Sequence, residues 1–172
     1  MAEKIKDEEY LYIIDHILKN DEFKKMSDIK HHNTTRMDHS LKVSYYSYII
    51  AKSLKLDYED VARGGLLHDF YTEEIRKCNK IKDKILIFST KHPSNAVINA
   101  SNNFELSEKE VNIIKSHMFP VDYRIPKYAE SWIVSFVDKG VSTVEFGRKF
   151  SCKYIYSTNI LFVFLLNFIR VF

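Results

Sequence analysis

An all-α fold, a bundle of helices, is the fold class that this sequence predicts, and three observations predict it. The 172 residues include only 4 glycines and 3 prolines, which is few for a chain built from many tight turns. Hydrophobic residues make up 45% of the chain, enough to build a core. Apolar residues recur at helical spacing in successive segments, and no alternating strand pattern competes with them. The length suits one compact domain with an appended end segment.

The apolar periodicity predicts six helices in chain order. They are expected over residues 8–18, 37–54, 57–68, 94–103, 107–117 and 126–141. One face of the second helix is expected to carry four apolar or aromatic side chains, namely Leu41, Tyr45, Tyr48 and Ile49. Residues 19–30 are mostly polar, so they are expected to connect the first two helices.

Residues at the helix ends set the expected boundaries. Asp57 is a suitable N-cap for the third helix, because its carboxylate accepts a hydrogen bond from the first turn. Ser107 and Glu110 have the spacing of a capping box at the start of the fifth helix. Pro93 is expected at the first position of the fourth helix, where the missing amide hydrogen costs nothing. The glycine pair at positions 64–65 lowers helix propensity, which predicts close packing against another backbone there.

The charge balance and the two cysteines exclude several classes of protein. The net charge is +3 and the isoelectric point about 8.7, with acidic and basic residues interspersed. This mild basicity suits a small phosphorylated substrate but falls short of what a nucleic-acid polymer requires. Cys78 and Cys152 fit no metal or redox spacing, and residues 1–28 carry no signal-peptide pattern. A reduced, cytoplasmic protein is therefore expected.

The last residues differ from the rest and suggest three regions. Residues 1–30 are expected to hold an N-terminal helix and a connector, residues 31–150 the main helical domain, and residues 151–172 a hydrophobic C-terminal helix. From 154 to 172 only Arg170 is charged, and a helix of that length would measure about 28 Å, barely a membrane span. Two alternatives stay open: a terminal helix packed in the bundle or a dimer, or an anchor to the inner face of the membrane.

Histidines and aspartates recur along the chain at a spacing that predicts a metal site. Six such residues are His39, His68, Asp69, His92, His117 and Asp138. When the adjacent His68 and Asp69 are counted as one position, successive positions lie 21 to 29 residues apart, about one helix and one loop. In a bundle, this spacing brings one residue per helix to a shared interior point. Imidazole and carboxylate are suitable ligands for Mn, Fe, Co, Ni or Zn, and carboxylate also for Mg. Asp138 follows the apolar residues Phe136 and Val137 on a helix, where an unpaired carboxylate would be costly.

Three segments resemble the HD-domain superfamily of metal-dependent phosphohydrolases. They are 36–40 (RMDHS), 62–69 (ARGGLLHD) and 115–118 (KSHM), and the resemblance spans residues 36–149. It implies an HD-domain helical bundle in which four residues form a first metal site: His39, His68, Asp69 and Asp138. It also implies that His92 and His117 serve a second ion, with Asp69 bridging the two. One or two divalent ions are therefore expected as cofactors.

The resemblance implies that the protein hydrolyses a phosphoester of a nucleotide or another small phosphorylated metabolite by a metal-bound hydroxide. His68 and Asp69 are the expected catalytic residues. Arg36 and Lys139 are candidates for binding the substrate phosphate, although a surface ion pair explains Arg36 as well, and helical geometry turns Lys139 away from Asp138.

A metal- or nucleotide-binding sensor that does not turn over is the alternative function. Many two-metal members have a lysine three residues after the His-Asp pair, whereas here Asp69 is followed by Phe-Tyr-Thr. The sequence leaves the oligomeric state open.

Overall fold

The structure, a computed structural model, describes residues 5–31, 34–71 and 81–147 and confirms the all-α prediction. In the described residues the chain forms seven α-helices: α1 (Glu8–Lys19), α2 (Asp21–Lys24), α3 (Arg36–Ser53), α4 (Tyr58–Leu67), α5 (Ile81–Asn103), α6 (Glu108–Ser116) and α7 (Ala129–Gly147). A 3₁₀ turn, Lys25–Asp28, follows α2. Two-residue strands, β1 (Lys30–His31) and β2 (Thr34–Thr35), pair antiparallel before α3, with Lys30 opposite Thr35.

Capping side chains begin α4 and α6 at the predicted positions. The Asp57 carboxylate accepts a hydrogen bond from the Asp60 amide at 3.3 Å. The capping box at α6 is complete: Ser107 Oγ accepts from the Glu110 amide at 3.0 Å, and Glu110 Oε2 accepts from the Ser107 amide at 2.7 Å. These helices therefore begin where local sequence chemistry directs them.

Two predictions about secondary structure were wrong. Pro93 does not begin a helix but lies inside α5, which starts at Ile81. A proline inside a helix costs about 3 kcal/mol, and here the helix is held by buried residues on both sides of the proline, including His92 and Ala96. Residues 19–30 are not merely a connector: they form α2 and the 3₁₀ turn, and they bury Phe23 and Met26. Phe23 and Met26 are two of only three apolar residues in this polar stretch, which is too few to establish a period.

The core consists of two neighbouring clusters joined through α3 and α4. The first contains Tyr10, Ile14 and Ile17 of α1 together with buried residues of α3, α4 and α5. The second packs α3 and α4 against α6 and α7, with Ile113 and Val134 at its centre. Helix α1 is therefore part of the same packed body as the later helices.

The apolar face expected on α3 is only partly right. Leu41 and Tyr48 are buried and Tyr45 is half-buried, but Ile49 is exposed. Ile49 lies about 80° around the helix from Leu41, which takes it past the edge of the packed face.

The glycine pair in α4 confirms the prediction of close packing. A Cβ atom at Gly65 would lie 3.1 Å from Cα of Ser44, on the backbone of α3. A Cβ at Gly64 would lie 3.0 Å from the Ile113 side chain in α6. At the same crossing, Tyr10 donates a hydrogen bond to Ser44 Oγ at 2.8 Å. Helix α4 therefore lies close to both α3 and α6 because its two glycines have no side chains at the points of contact.

The predicted C-terminal helix, residues 151–172, lies outside the described residues. Among the described helices, none is both long enough and apolar enough to cross a membrane.

Candidate metal centre

The six predicted ligands come from five helices and meet in the interior of the bundle. His39 lies in the first turn of α3, the pair His68-Asp69 directly follows α4, His92 lies within α5, His117 directly follows α6, and Asp138 lies at the middle of α7. All six side chains are buried. Their potential ligand atoms form three overlapping sets, each within 4.8 Å: His39, His68 and Asp69; His68, His117 and Asp138; and Asp69, His92 and His117.

His68 and His117 share one local arrangement at the ends of their helices. The Nδ1 atom of His68 lies 2.7 Å from the Gly65 carbonyl oxygen, and that of His117 lies 2.8 Å from the Ile114 carbonyl oxygen. A carbonyl only accepts, so Nδ1 carries the proton in both rings. In the neutral imidazole the lone pair is then on Nε2, which points to the interior. Hydrogen bonds of this kind orient metal-binding histidines.

His68 Nε2 is a buried polar atom that makes no hydrogen bond among the described residues. The closest carboxylate oxygens are Asp138 Oδ1 at 3.6 Å and Asp69 Oδ2 at 3.8 Å. Burial opposes a positive charge on His68, but these carboxylates outweigh that effect and raise its pKa. The site therefore favours a positive charge beside Nε2, which a divalent cation supplies.

Asp69 presents its two oxygens to different histidines. Oδ2 faces His68, whereas Oδ1 lies 3.5 Å from His92 Nε2 and 3.7 Å from His117 Nε2. Burial alone would raise the pKa of Asp69, but the surrounding histidines hold it well below its usual value. The carboxylate is therefore ionised and placed between two groups of histidines, which is the position of a bridging ligand.

The rings of His92 and His117 converge on one point. Their Nε2 atoms are 2.9 Å apart. Two nitrogens bound to one ion at about 2.1 Å and at right angles lie about 3 Å from each other. Burial and the neighbouring histidines lower the pKa of His117 to about 3, so it is neutral, as a metal ligand must be. This pair fits a divalent ion.

His39 bridges two buried carboxylates of α7. Its Nε2 lies 3.1 Å from Asp138 Oδ1, and its Nδ1 lies 2.9 Å from Glu145 Oε2. Burial lowers the pKa of His39, but the hydrogen bonds to Asp138 and Glu145 prevail and raise it to about 10. In the metal-free site both ring nitrogens therefore carry protons, and a metal ion would replace the proton on Nε2.

Glu145 is a residue of the site that the sequence analysis missed. Its side chain is buried, and Lys42 also donates to it, at 2.5 Å. Glu145 follows Asp138 by seven residues, which is two helical turns, so both carboxylates lie on the same face of α7. That spacing was the signal that could have found it.

Of the two candidates for substrate binding, Arg36 is buried and Lys139 is half-buried. Arg36 donates to the Tyr71 carbonyl, and its guanidinium lies 3.8 Å from the centre of the Tyr71 ring. The alternative of a surface ion pair for Arg36 is therefore wrong. Lys139 donates to the His117 carbonyl at 2.7 Å and to Ser135 Oγ at 3.0 Å. Substrate binding by Arg36 and Lys139 stays a prediction.

Comparison with known proteins adds one finding. A family model described as HD domain matches residues 36–140, well over half of the chain and all six predicted ligands. Searches of curated proteins and of solved structures gave no match.

Proposed function

Because the chain belongs to the HD domain family, we propose that it is a metal-dependent phosphohydrolase acting on a nucleotide or another small phosphorylated metabolite. The HD domain is typical of the superfamily of metal-dependent phosphohydrolases. The observation that carries the proposal is the environment of His68 Nε2. A buried ring nitrogen that makes no hydrogen bond among the described residues, close to two ionised carboxylates, is costly in a purely structural role and suited to a metal ion.

Two ligand sets are proposed on this geometry. His39, His68, Asp69 and Asp138 would hold one ion, and His92 and His117 would hold a second, with Asp69 shared between them. Mixed imidazole and carboxylate ligands suit Mn, Fe, Co, Ni or Zn. When bound, the ion supplies an activated water for in-line attack on phosphorus and neutralises charge on the phosphoryl oxygens.

The chain itself supplies groups that position the ligands and the substrate. Arg36 keeps a buried Nε donor that has no hydrogen-bond partner among the described residues, and a substrate phosphate would satisfy it. Lys139 donates to the carbonyl of His117, so it holds the backbone next to a ligand. Tyr71 connects these regions, because its ring lies over the Arg36 guanidinium and 5.4 Å from the His92 ring.

The test combines metal content with turnover. The protein is stripped with a chelator, reloaded with Mn, Co or Ni, and screened against phosphomonoesters and phosphodiesters of nucleotides and sugars. Metal-dependent release of phosphate is expected, and Asp69→Asn should abolish it while the circular dichroism spectrum stays unchanged. Glu130→Gln is the matched control, because Glu130 is a buried carboxylate that pairs with Lys109 outside the site.

The same experiment separates the enzyme from the non-catalytic sensor. The missing lysine after Asp69 favours the sensor. Stoichiometric metal binding and tight binding of a nucleotide without product would support that alternative and refute hydrolysis. Failure of the stripped protein to bind any of the three metals would overturn the hydrolase and the metal-binding sensor.

A further inference from the structure

Helix α7 turns all of its charged side chains toward the protein. Glu130 pairs with Lys109 at 2.9 Å, and Asp138 and Glu145 both contact His39. The one cation, Lys139, is half-buried and donates to backbone and side-chain oxygens of its own bundle. Among the described side chains of α7, three of the four charged ones are therefore buried and none is fully exposed.

The opposite side of α7 is a continuous uncharged surface, which we call the outer face. At 100° per residue, seven residues share this side: Ala129, Trp132, Ile133, Phe136, Gly140, Thr143 and Val144. Phe136 is 54% exposed and Val144 42% exposed. A helix at the surface of a globular protein normally presents polar and charged residues on its outward side.

The outer face continues past the start of α7. The Phe119 ring packs edge-on against Trp132 at 5.2 Å, and Trp132 stacks on Phe136 at 5.6 Å. In the loop between α6 and α7, Val121 and Ile125 are also exposed. An apolar surface of this extent marks a binding site for another element or molecule.

The chain carries a segment whose length and pattern suit this surface. Residues 154–172 number 19, so a helix over them would be about 28 Å long, as long as the described part of α7. Six residues, 148–153, separate this segment from Gly147, the last described residue of α7, and two to eight or so residues commonly join antiparallel helices. On a helical wheel Asn159, Asn167 and Arg170 share one side, and the side opposite is mostly apolar, with Ser157 and Thr158 at its edges. That pattern is typical of a helix with one face packed and one exposed.

We propose that residues 154–172 pack as a helix antiparallel to α7 and cover its outer face. An antiparallel pair joined by six residues brings Leu161 to Gly140, Leu165 to Phe136 and Phe168 to Ile133. A Cβ atom at Gly140 would meet nothing within 4 Å, so there is room above it for the partner helix. The proposal is independent of the proposed enzymatic function.

Disulfide trapping tests the contact. In a full-length background with Cys78→Ser and Cys152→Ser, the pair Gly140→Cys and Leu161→Cys is oxidised with copper phenanthroline. An intramolecular disulfide is expected, seen as a faster monomer band on a non-reducing gel and a matching intact mass. Gly140→Cys with Asn159→Cys is the control, because Asn159 lies about 160° around the wheel from Leu161, and it should not cross-link.

Tryptophan fluorescence gives a second measurement that needs no cysteines. Trp132 is the single tryptophan of the chain and lies on the outer face. Phe168→Asp should lift the segment, shift the Trp132 emission to longer wavelength and raise its quenching by acrylamide. Asn167→Asp adds the same charge on the polar side and should change neither.

Three outcomes would overturn the proposal. Disulfide formation only between two chains would show that a second copy covers the outer face. Flotation of the full chain with phosphatidylglycerol–phosphatidylcholine vesicles, lost in Phe168→Asp and without an intramolecular disulfide, would show that the segment inserts into a membrane. Trp132 quenching that is the same in all variants would show that the segment does not cover α7.

Discussion

Replacement of Glu145 by glutamine tests how a carboxylate outside the predicted ligand set affects metal affinity through its contact with His39, a predicted ligand. Glu145→Gln keeps the size of the side chain and its place on α7, but it removes the negative charge that faces His39 Nδ1 at 2.9 Å. The ring then loses both its strongest orienting partner and part of its basicity. Losing such a partner typically weakens metal affinity by about 10- to 100-fold, which corresponds to about 1.4 to 2.7 kcal/mol.

The pH at which affinity is measured changes the size of this effect. In the metal-free site Glu145 also holds a proton on His39, whose pKa is raised to about 10. Removing the charge therefore weakens the binding of the metal ion to His39 and also the binding of its competitor, the proton. A divalent ion carries twice the charge of the proton, so the net result at neutral pH is still a loss. The ratio of wild-type to variant affinity should increase as the pH rises toward 10.

The assay is a titration of stripped protein with Mn or Ni against a competing chelator, repeated between pH 6.5 and 9.5. Glu130→Gln is again the control: it removes a buried carboxylate from the same helix, and its metal affinity should match that of wild type. Equal affinities for Glu145→Gln and wild type across this pH range would refute the reasoning.

Three further predictions concern stability, each measured by urea or thermal unfolding. Gly65→Ala places a methyl group 3.1 Å from the Ser44 backbone and should destabilise the protein, because overpacking of about 1–3 kcal/mol exceeds a helix-propensity gain of up to about 1 kcal/mol; an unchanged or raised unfolding midpoint would contradict the packing. Ser107→Ala removes the N-cap of α6 and should cost about 0.5–2 kcal/mol; an unchanged midpoint would show that the capping box contributes nothing. The pKa of His39 is raised when the metal-free protein folds, so its contribution to the free energy of unfolding is complete below pH 6.5 and is lost as the pH rises toward 10. Metal-free wild type should therefore lose stability over that range, and His39→Gln should lose less. Parallel plots of stability against pH for the two proteins would count against a protonated His39.

The helices that could be read from the sequence are those whose signals are local. Periodic apolar residues and side-chain caps act within one or two turns, and α1, α3, α4 and α6 match their predicted ranges to within one residue, whereas α7 begins three residues later than predicted and extends six residues further. Where packing overrides local preference, as at Pro93 within α5, the prediction failed. Phe23 and Met26 were missed for the same reason, since only their neighbours in space show that they belong to the core.

The metal centre likewise has features that the sequence predicted and features that only the folded structure shows. The order and spacing of histidines and aspartates are properties of the chain alone, so the six candidate ligands and the family resemblance could be read without coordinates. The direction in which each ring points depends on hydrogen bonds that close only when helices meet. The Gly65 carbonyl turns His68 Nε2 inward, and Glu145 reaches His39 across 106 positions of sequence. A linear pattern carries residue type and period, whereas the pairing of groups on different helices is a property of the folded packing.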